Sequence, residues 1–297
     1  MDVALITCAE YPRLSTSDAL LLPALAARDI DACPLIWNDP AVDWSLPVVS
    51  VIRSTWDYHH QRTAFLEWAQ HVSQLHALWN PFPLLCWNTH KSYLRDLERD
   101  GIPIIPTLWL SQETSANLTG LMREHGWTKV VVKPAVSASA YATLLVKEET
   151  VTQGQQHLDQ MLSTHDMLIQ PFLPTVIDPG ERSLVFIDGT FTHAVRRQPV
   201  LGTDLSTRVE PVLSQTVLLV PPQEEIRFAQ KILDTLSSPA LYTRIDLVQD
   251  ENERLRLMEI ELVEPGLWLQ LVPSAVERFA DAIAKKVQQA RGNGFFS

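Results

Sequence analysis

The feature that most constrains the fold is a pair of apolar segments near the end of the chain, joined by a charged turn. The two segments are residues 242–248 and 256–265. Side chains of a β-strand alternate between its two faces, so Arg244 and Asp246 share a face of the first strand. Glu259 and Glu261 share a face of the second strand for the same reason. If the two strands pair as a hairpin, three carboxylates and one arginine meet on one surface.

This acidic surface has two interpretations. Like charges at close range repel unless a cation lies among them, and hard divalent cations such as Mg²⁺ bind through carboxylate oxygens. The surface is therefore either a metal site or an edge hairpin whose charges face water. The residues alone leave both interpretations open.

Length and composition narrow the class of protein. A chain of 297 residues with 46% hydrophobic content can bury a large core, and we expect two or three domains. The net charge of -11 argues against a broad nucleic-acid-binding surface, although local basic groups can still hold a nucleotide. Residues 1–20 show no signal peptide, and no apolar run is long enough to span a membrane. The three scattered cysteines are typical of reduced thiols, so we expect a cytoplasmic protein without a membrane partner.

The first 78 residues alternate between strand and helix patterns, which predicts a small parallel sheet with helices on its faces. The strand that ends near residue 52 is followed by Arg53, Trp56 and Asp57. Ligands of such sheets bind at the carboxyl ends of strands, and an arginine there can fork onto a carboxylate or phosphate. The alternative is a helix N-terminus that Ser54, Thr55 or Asp57 caps, with Trp56 as its hydrophobic staple.

Prolines around residues 80–83 predict a domain boundary, and a second unit follows. Here the pattern predicts a helix that Asn88 caps and Gly101 ends. Lys91 then falls in the first helical turn, where a cation opposes the helix dipole unless it binds an anion.

A lysine and a tract of small residues follow the next buried strand. Lys133 ends that strand, where a lysine either binds a ligand or extends its ammonium group to solvent. The tract that contains Ser137 and Ser139 can fold closely over a phosphate, although it lacks the usual glycine. Neither the P-loop motif nor the dinucleotide-binding motif occurs in the chain, which excludes both of those sites.

The remaining pattern predicts a strand at 167–173 with a proline hinge, and then a β-hairpin that turns at Asp188 and Gly189. A polar loop at 198–215 carries Arg208, and helices are expected at 223–236 and 275–289. We place domain boundaries after residues 84 and 173.

Taken together, these segments resemble the ATP-grasp superfamily, the fold of D-alanine–D-alanine ligase and bacterial glutathione synthetase. The resemblance spans the whole chain and depends on the order and spacing of six short motifs. In chain order these are Asn88 with Lys91, Val131-Val-Lys133-Pro, Ile169-Gln170-Pro-Phe172-Leu, Gly180-Glu181, Arg244-Ile-Asp246 and Met258-Glu259-Ile-Glu261. The resemblance implies an α/β (α+β) fold of three subdomains, residues 1–84, 85–173 and 174–297, with the nucleotide between the last two.

The resemblance also implies roles in nucleotide binding. Lys91 and Lys133 would hold the phosphates of ATP, and the loop of Ser137 and Ser139 would close over them. Glu181 would bind the ribose hydroxyls. The adenine would lie against the backbone and side chains of Gln170, Phe172 and Leu173.

For catalysis, the resemblance implies that Asp246, Glu259 and Glu261 bind two Mg²⁺ ions, for which Mn²⁺ is an acceptable substitute. Arg244 would face the transferring phosphoryl group together with Lys133. Two positions depart from the usual ligase pattern: Glu261 stands where Asn is common, and Gln170 stands where Glu is usual.

Several motifs, including residues 53–58 and the Ser-Ala-Ser-Ala loop, are similar to the branch that includes the cyclo-ligase of D-cycloserine biosynthesis. That branch implies a small, amino-acid-like carboxylate as substrate. The candidate substrate residues are Arg53, Trp56, Asp57, Arg196 and Arg197. Arg208 is a candidate for the substrate or the γ-phosphate, and the alternative for Arg196, Arg197 and Arg208 is a surface role that balances an acidic protein.

The resemblance implies an ATP-dependent carboxylate–amine ligase. A carboxylate would attack the γ-phosphate, and an amine in the same or another molecule would capture the acyl phosphate. The partners are then a small acid and an amine, and ligases of this fold are often homodimers. Two alternatives remain: a phosphotransferase or a ligase with another nucleophile, and a non-catalytic nucleotide-binding regulatory module.

Overall fold

The computed structural model describes residues 1–197 and 216–292, which form three β-sheets with helices packed on them. The strands are β1 Val3–Thr7, β2 Ala32–Ile36, β3 Val49–Ser54, β4 Ala77–Trp79, β5 Leu108–Leu110, β6 Lys129–Pro134, β7 Leu144–Lys147, β8 Met167–Pro171, β9 Glu181–Ile187, β10 Thr190–Arg197, β11 Thr216–Leu219, β12 Tyr242–Gln249 and β13 Leu255–Glu261. The helices are α1 Leu21–Ala26, α2 Arg62–Leu75, α3 Phe82–Asn88, α4 Tyr93–Arg99, α5 Leu118–Glu124, α6 Val151–Leu162, α7 Gln223–Leu233 and α8 Pro273–Gly292. Within the described ranges, no helix combines the length and apolarity needed to cross a bilayer.

The first sheet is parallel, in the order β2-β1-β3-β4, which confirms the predicted parallel sheet. Strand β4 is a correction: apolar residues recur at helical spacing over residues 59–78, which predicts a helix that runs to residue 78. Helix α2 ends at Leu75, and His76 adopts an extended backbone that leads into the pairing of β4 with β3. Hydrogen bonding to an existing sheet edge outweighs the helical periodicity of this short apolar segment.

The second sheet is antiparallel, in the order β5-β8-β6-β7, with α5 and α6 packed on it. Helix α5 begins at an Asn117 cap, whose side chain accepts a hydrogen bond of 2.9 Å from the Gly120 amide. Strand β7 escaped the sequence analysis because its four residues follow the small-residue tract without a turn signal. It pairs antiparallel with β6, so both ends of that tract lie at the same end of the sheet.

The third sheet has the order β11-β10-β9-β12-β13. The predicted Asp-Gly hairpin is confirmed, with both turn residues in the left-handed region at φ 47° and 73°. The hairpin of β12 and β13 is also confirmed. Its register pairs Arg244 with Glu261 and Asp246 with Glu259, which places all four side chains on one face.

The segment between the first two sheets packs on the third sheet. Helices α3 and α4 bury Leu84, Leu94 and Leu97 against a core that includes Ile245 and Ile260. The predicted Asn88 cap is wrong, because Asn88 is the last residue of α3 and α4 begins at Tyr93. The Asn88 side chain instead donates to the Ile260 carbonyl at 2.8 Å and accepts from the Leu262 amide at 2.8 Å. The domain boundary that we place after residue 84 falls inside α3 and stays a prediction.

Candidate active site

Two lysines that are far apart in sequence meet on one carboxylate of the third sheet. Lys133 Nζ lies 2.9 Å from Glu259 Oε1, and Lys91 Nζ lies 3.4 Å from Glu259 Oε2. Lys133 is delivered by β6, and Lys91 by the short connection between α3 and α4, where its amide donates to the Ala135 carbonyl at 2.8 Å. Lys91 therefore does not lie in the first turn of a helix, and the dipole argument for its position was wrong.

Two arginines hold the neighbouring carboxylates. Arg244 Nη2 lies 2.8 Å from Asp246 Oδ2 and also binds Glu261 across the strand pair. Arg197 Nη2 lies 3.0 Å from the same Asp246 oxygen and also binds Glu181. The arginines therefore join three carboxyl groups of β9, β12 and β13 into one connected cluster, beside the lysine-bound Glu259.

Burial and these ion pairs set the charge of each acid. Burial opposes ionisation of Glu259, but Lys133 and Lys91 hold its pKa well below the ordinary value. Burial also opposes ionisation of Asp246, and the Arg244 and Arg197 guanidinium groups lower its pKa nonetheless. The cluster thus keeps two ionised carboxylates below neutral pH.

The other acids of the cluster retain protons more strongly. Burial raises the pKa of Glu181 to about 7, although Arg197 opposes the effect. Burial raises the pKa of Glu261 as well, against the influence of Arg244. Burial and the nearby Glu261 charge raise the pKa of Glu264 to about 8. The edge of the cluster can therefore exchange protons near neutral pH.

The acids fit Mg²⁺ by their chemistry, since Asp246, Glu259 and Glu261 offer hard oxygen donors on adjacent strands. Across residues 1–197 and 216–292, however, no three acidic, His or Cys side chains converge on one point as a metal cage. Guanidinium and ammonium groups instead contact the oxygens of these carboxylates. Metal binding at this site therefore requires these acids to exchange protein cations for metal.

The small-residue tract lies beside the lysines. The Ser137 carbonyl is 3.4 Å from Lys91 Nζ, and Ser139, Ala140 and Ala142 all have positive φ values of 49° to 56°. Further along, the Tyr141 ring lies 5.1 Å from the His59 ring of the N-terminal unit. The loop therefore adopts left-handed turns without glycine and bridges the lysines to the first sheet's domain.

The residues expected near adenine lie at the end of β8. Gln170 is buried and donates to Thr107 Oγ1 at 2.9 Å. Phe172 and Leu173 belong to a small apolar cluster that also contains Met258 of β13, and the Phe172 amide donates to the Lys129 carbonyl at 2.9 Å. This cluster adjoins the strand of Glu259, so an apolar surface and the charged cluster are neighbours.

Three candidate substrate residues of the N-terminal unit have protein partners. Arg53 is fully buried, lies 3.0 Å from Asp18 and donates to the Pro265 carbonyl at 2.7 Å. Trp56 Nε1 donates to the Glu264 carbonyl at 2.9 Å, and Asp57 accepts from Trp37 Nε1 at 2.9 Å. Arg53 and Trp56 thus hold the N-terminal unit to the segment that follows β13. Asp57 does not cap a helix through its side chain.

Two of the remaining candidate arginines, Arg196 and Arg197, lie on opposite faces of β10. Arg197 belongs to the cluster, whereas its neighbour Arg196 is exposed on the other face of β10. Arg208 lies outside the described residues.

Two cluster residues had no sequence signal. Ser183 donates to Asp246 Oδ1 at 2.6 Å from the adjacent strand β9. Trp268 is buried beneath both cluster arginines. Ser183 shares a strand face with Glu181, but only the pairing of β9 with β12 shows that this face meets Asp246.

The chain is similar in sequence and fold to known proteins. The N-terminal domain family of the D-cycloserine synthetase DcsG matches residues 3–80. The chain is 28% identical to the cycloserine biosynthesis protein DcsG of Streptomyces lavendulae, over 96% of this chain and 99% of that protein. A crystal structure of the D-cycloserine synthetase DcsG is 27% identical, with a TM-score of 0.89 over 97% of this chain and 100% of the other. A RimK domain ATP-grasp protein from Sphaerobacter thermophilus shares the fold, at 18% identity and a TM-score of 0.70 over 96% of this chain and 99% of the other.

Proposed function

We propose that the chain, which shares the fold of these ATP-grasp structures, is an ATP-dependent ligase that joins a small carboxylate to an amine. The carboxylate attacks the γ-phosphate of ATP to form an acyl phosphate, which the amine captures with release of phosphate. ADP is the second product. The observation that carries the proposal is the convergence of Lys91 and Lys133 on Glu259, beside the arginine-bound carboxylates of the same hairpin.

In this proposal, the two lysines bind the phosphates of ATP. Their ammonium groups come from different elements and already lie together at Glu259, so little rearrangement is needed to receive a polyphosphate. The loop with Ser137 and Ser139 lies against Lys91 and closes over the phosphates. Its backbone amides and hydroxyls then replace water around the transferring group.

Asp246, Glu259 and Glu261 would hold Mg²⁺, with two ions expected and Mn²⁺ as an acceptable substitute. Mg²⁺ neutralises charge that develops on the phosphate oxygens. As these carboxylates exchange their cation partners, Arg244 and Arg197 become free to bind phosphate oxygens. Arg244 thereby orients the phosphoryl group and stabilises its charge, and we propose the same role for Arg208.

The nucleoside lies at the far end of the same cleft. Phe172 and Leu173 supply apolar contact for adenine, and Gln170 lies beside them on β8. Glu181 binds the ribose hydroxyls, in place of its ion pair with Arg197. The proposal keeps three subdomains, 1–84, 85–173 and 174–297, with the nucleotide between the second and third.

The substrate class follows from the relatives. We propose a small amino-acid-like carboxylate, bound on the side of the cleft that Trp56 and Asp57 border, with the fully buried Arg53 holding this wall to the Pro265 carbonyl. The relatives are named for D-cycloserine, a cyclic product, which supports closure within one molecule. Arg197 is the remaining candidate substrate contact, whereas Arg196 lies on the opposite, exposed face of β10, which fits its alternative surface role.

A screen for ADP release over acids and amines tests this function. An ATP-dependent ligase releases ADP only with an acid and an amine, supplied as two compounds or as one that carries both groups. ADP release with an acid and no amine, or with another nucleophile, would favour a phosphotransferase or a different ligase. Tight Mg²⁺·ATP binding without ADP release across the screen would favour a non-catalytic regulatory module.

Two substitutions test the assigned roles. Lys133→Ala and Asp246→Asn should each lower turnover by roughly a hundredfold or more, since each removes a charge that contacts ATP or its metal. Glu98→Gln, an exposed change on α4, is the control and should leave turnover unchanged. Retained activity in Asp246→Asn would remove Asp246 from the metal site.

A further inference from the structure

We infer that Trp268 is a positioning residue that holds Arg197 and Arg244 in the orientation needed to receive the phosphate groups of a nucleotide. The inference rests on the proposed function for the identity of the ligand. Its geometric basis is independent of any ligand, because Trp268 contacts both arginines in the protein alone.

The arginines share two attractive partners. The guanidinium carbons of Arg197 and Arg244 each lie 5.2 Å from the centre of the Trp268 ring. Both groups also bind one oxygen of Asp246, at 3.0 and 2.8 Å. Two guanidinium groups on the same carboxylate oxygen repel each other, so a single acid is a poor support for both. The electron-rich face of an indole attracts each of them without adding charge.

Hydrogen bonds of the two neighbouring residues hold the backbone of Trp268 in place. The Leu267 carbonyl accepts a hydrogen bond of 2.8 Å from the buried His193 Nε2. The Leu269 amide donates to Ser17 Oγ at 3.0 Å. Trp268 itself lies in the left-handed region, at φ 47°, which a bulky side chain rarely adopts. Its surroundings therefore impose a conformation that the residue alone disfavours, which is typical of functional sites.

Trp268 becomes most important when Asp246 binds metal. At that point the arginines lose their shared carboxylate, and the indole remains as their common support. It keeps both guanidinium groups next to the place where phosphate charge arrives, so their orientation is not lost to side-chain entropy. The effect should therefore appear with a metal-bound triphosphate and be absent with a nucleotide that lacks the distal phosphates.

Calorimetry with Mg²⁺·AMPPNP and with AMP tests the inference on the full chain. Trp268→Leu should weaken Mg²⁺·AMPPNP binding by roughly tenfold and leave AMP binding unchanged within about twofold. Trp268→Phe keeps an aromatic face and should recover most of the affinity. Trp79→Leu is the matched control. The Trp79 ring also contacts a cation, since Lys286 Nζ lies 4.2 Å from its centre, but that cation belongs to α8 and not to the cluster. This variant should bind both nucleotides as the wild type does.

The nucleotide-free protein gives a second measurement. Ring currents of Trp268 should displace the guanidinium Nε–H resonances of Arg197 and Arg244, assigned with arginine-to-lysine variants. Trp268→Leu should abolish that displacement; because removing a buried indole also lowers the melting temperature, the spectra are recorded well below it, where circular dichroism shows the variant folded. Equal loss of AMP and Mg²⁺·AMPPNP affinity, or unchanged affinity and unchanged resonances, would overturn the inference. A wild type that binds neither nucleotide but shows the displaced resonances would instead refute the proposed function.

Discussion

Asn80→Ala should destabilise the protein more than its position after a short edge strand suggests. The Asn80 side chain is fully buried and donates to the carbonyls of Tyr242 at 2.9 Å and Leu262 at 2.7 Å. Its oxygen accepts from the Leu241 amide at 2.7 Å. One side chain thus joins the end of the first sheet to both strands of the acidic hairpin.

The alanine variant leaves three buried backbone groups without this partner. Each unpaired buried polar group costs about 1–3 kcal/mol, and partial relaxation brings the total to about 4 kcal/mol. Urea unfolding followed by circular dichroism measures the loss. Asn117→Ala removes one exposed helix cap and should cost only about 1 kcal/mol, which makes it the control. A loss for Asn80→Ala that is no larger than for Asn117→Ala would refute the reasoning.

Three further predictions concern pH, packing and metal. The pKa of Glu264 is about 8 in the folded protein against an ordinary 4.5, so the stability of the protein falls as pH rises from 4.5 through 8. Glu264→Gln should therefore stabilise the metal-free protein by roughly 3 kcal/mol at pH 8.5 and hardly at pH 4.5. An equal effect of the substitution on the urea midpoint at both pH values would contradict this. Gly154→Ala places a methyl group 2.6 Å from the Val146 methyls and should lower the stability measured by thermal unfolding by about 1–3 kcal/mol. Gly120→Ala is the control, because its new methyl meets only the Asn117 side chain, and it should leave the stability unchanged or raise it. A larger loss of stability for Gly120→Ala than for Gly154→Ala would be inconsistent with the packing. Mg²⁺·ADP should raise the melting temperature of the wild type and not that of Asp246→Asn, and equal shifts would exclude Asp246 as a ligand.

The sequence analysis succeeded where a residue's environment depends on its own strand or turn. The alternation that brings Arg244 and Asp246 to one face is a property of a single strand, and the Asp188-Gly189 turn is set by two residues. It failed where the partners of a residue are distant in sequence. Asn88 has the residue type of a helix cap, yet its amide pairs with backbone groups at the end of β13 and just after it, more than 170 positions later.

The order of the motifs was sufficient to predict the superfamily and the acids of the hairpin, because each motif is a local pattern. Only the tertiary structure decided which charges are neighbours. Lys91 and Lys133 reach Glu259 because β6 and the α3–α4 connection pack beside β13, and Trp268 reaches two arginines because β9, β10 and β12 are adjacent. Electrostatic and aromatic contacts act over a few ångströms, so they depend on how elements pack, which no local pattern in the chain records.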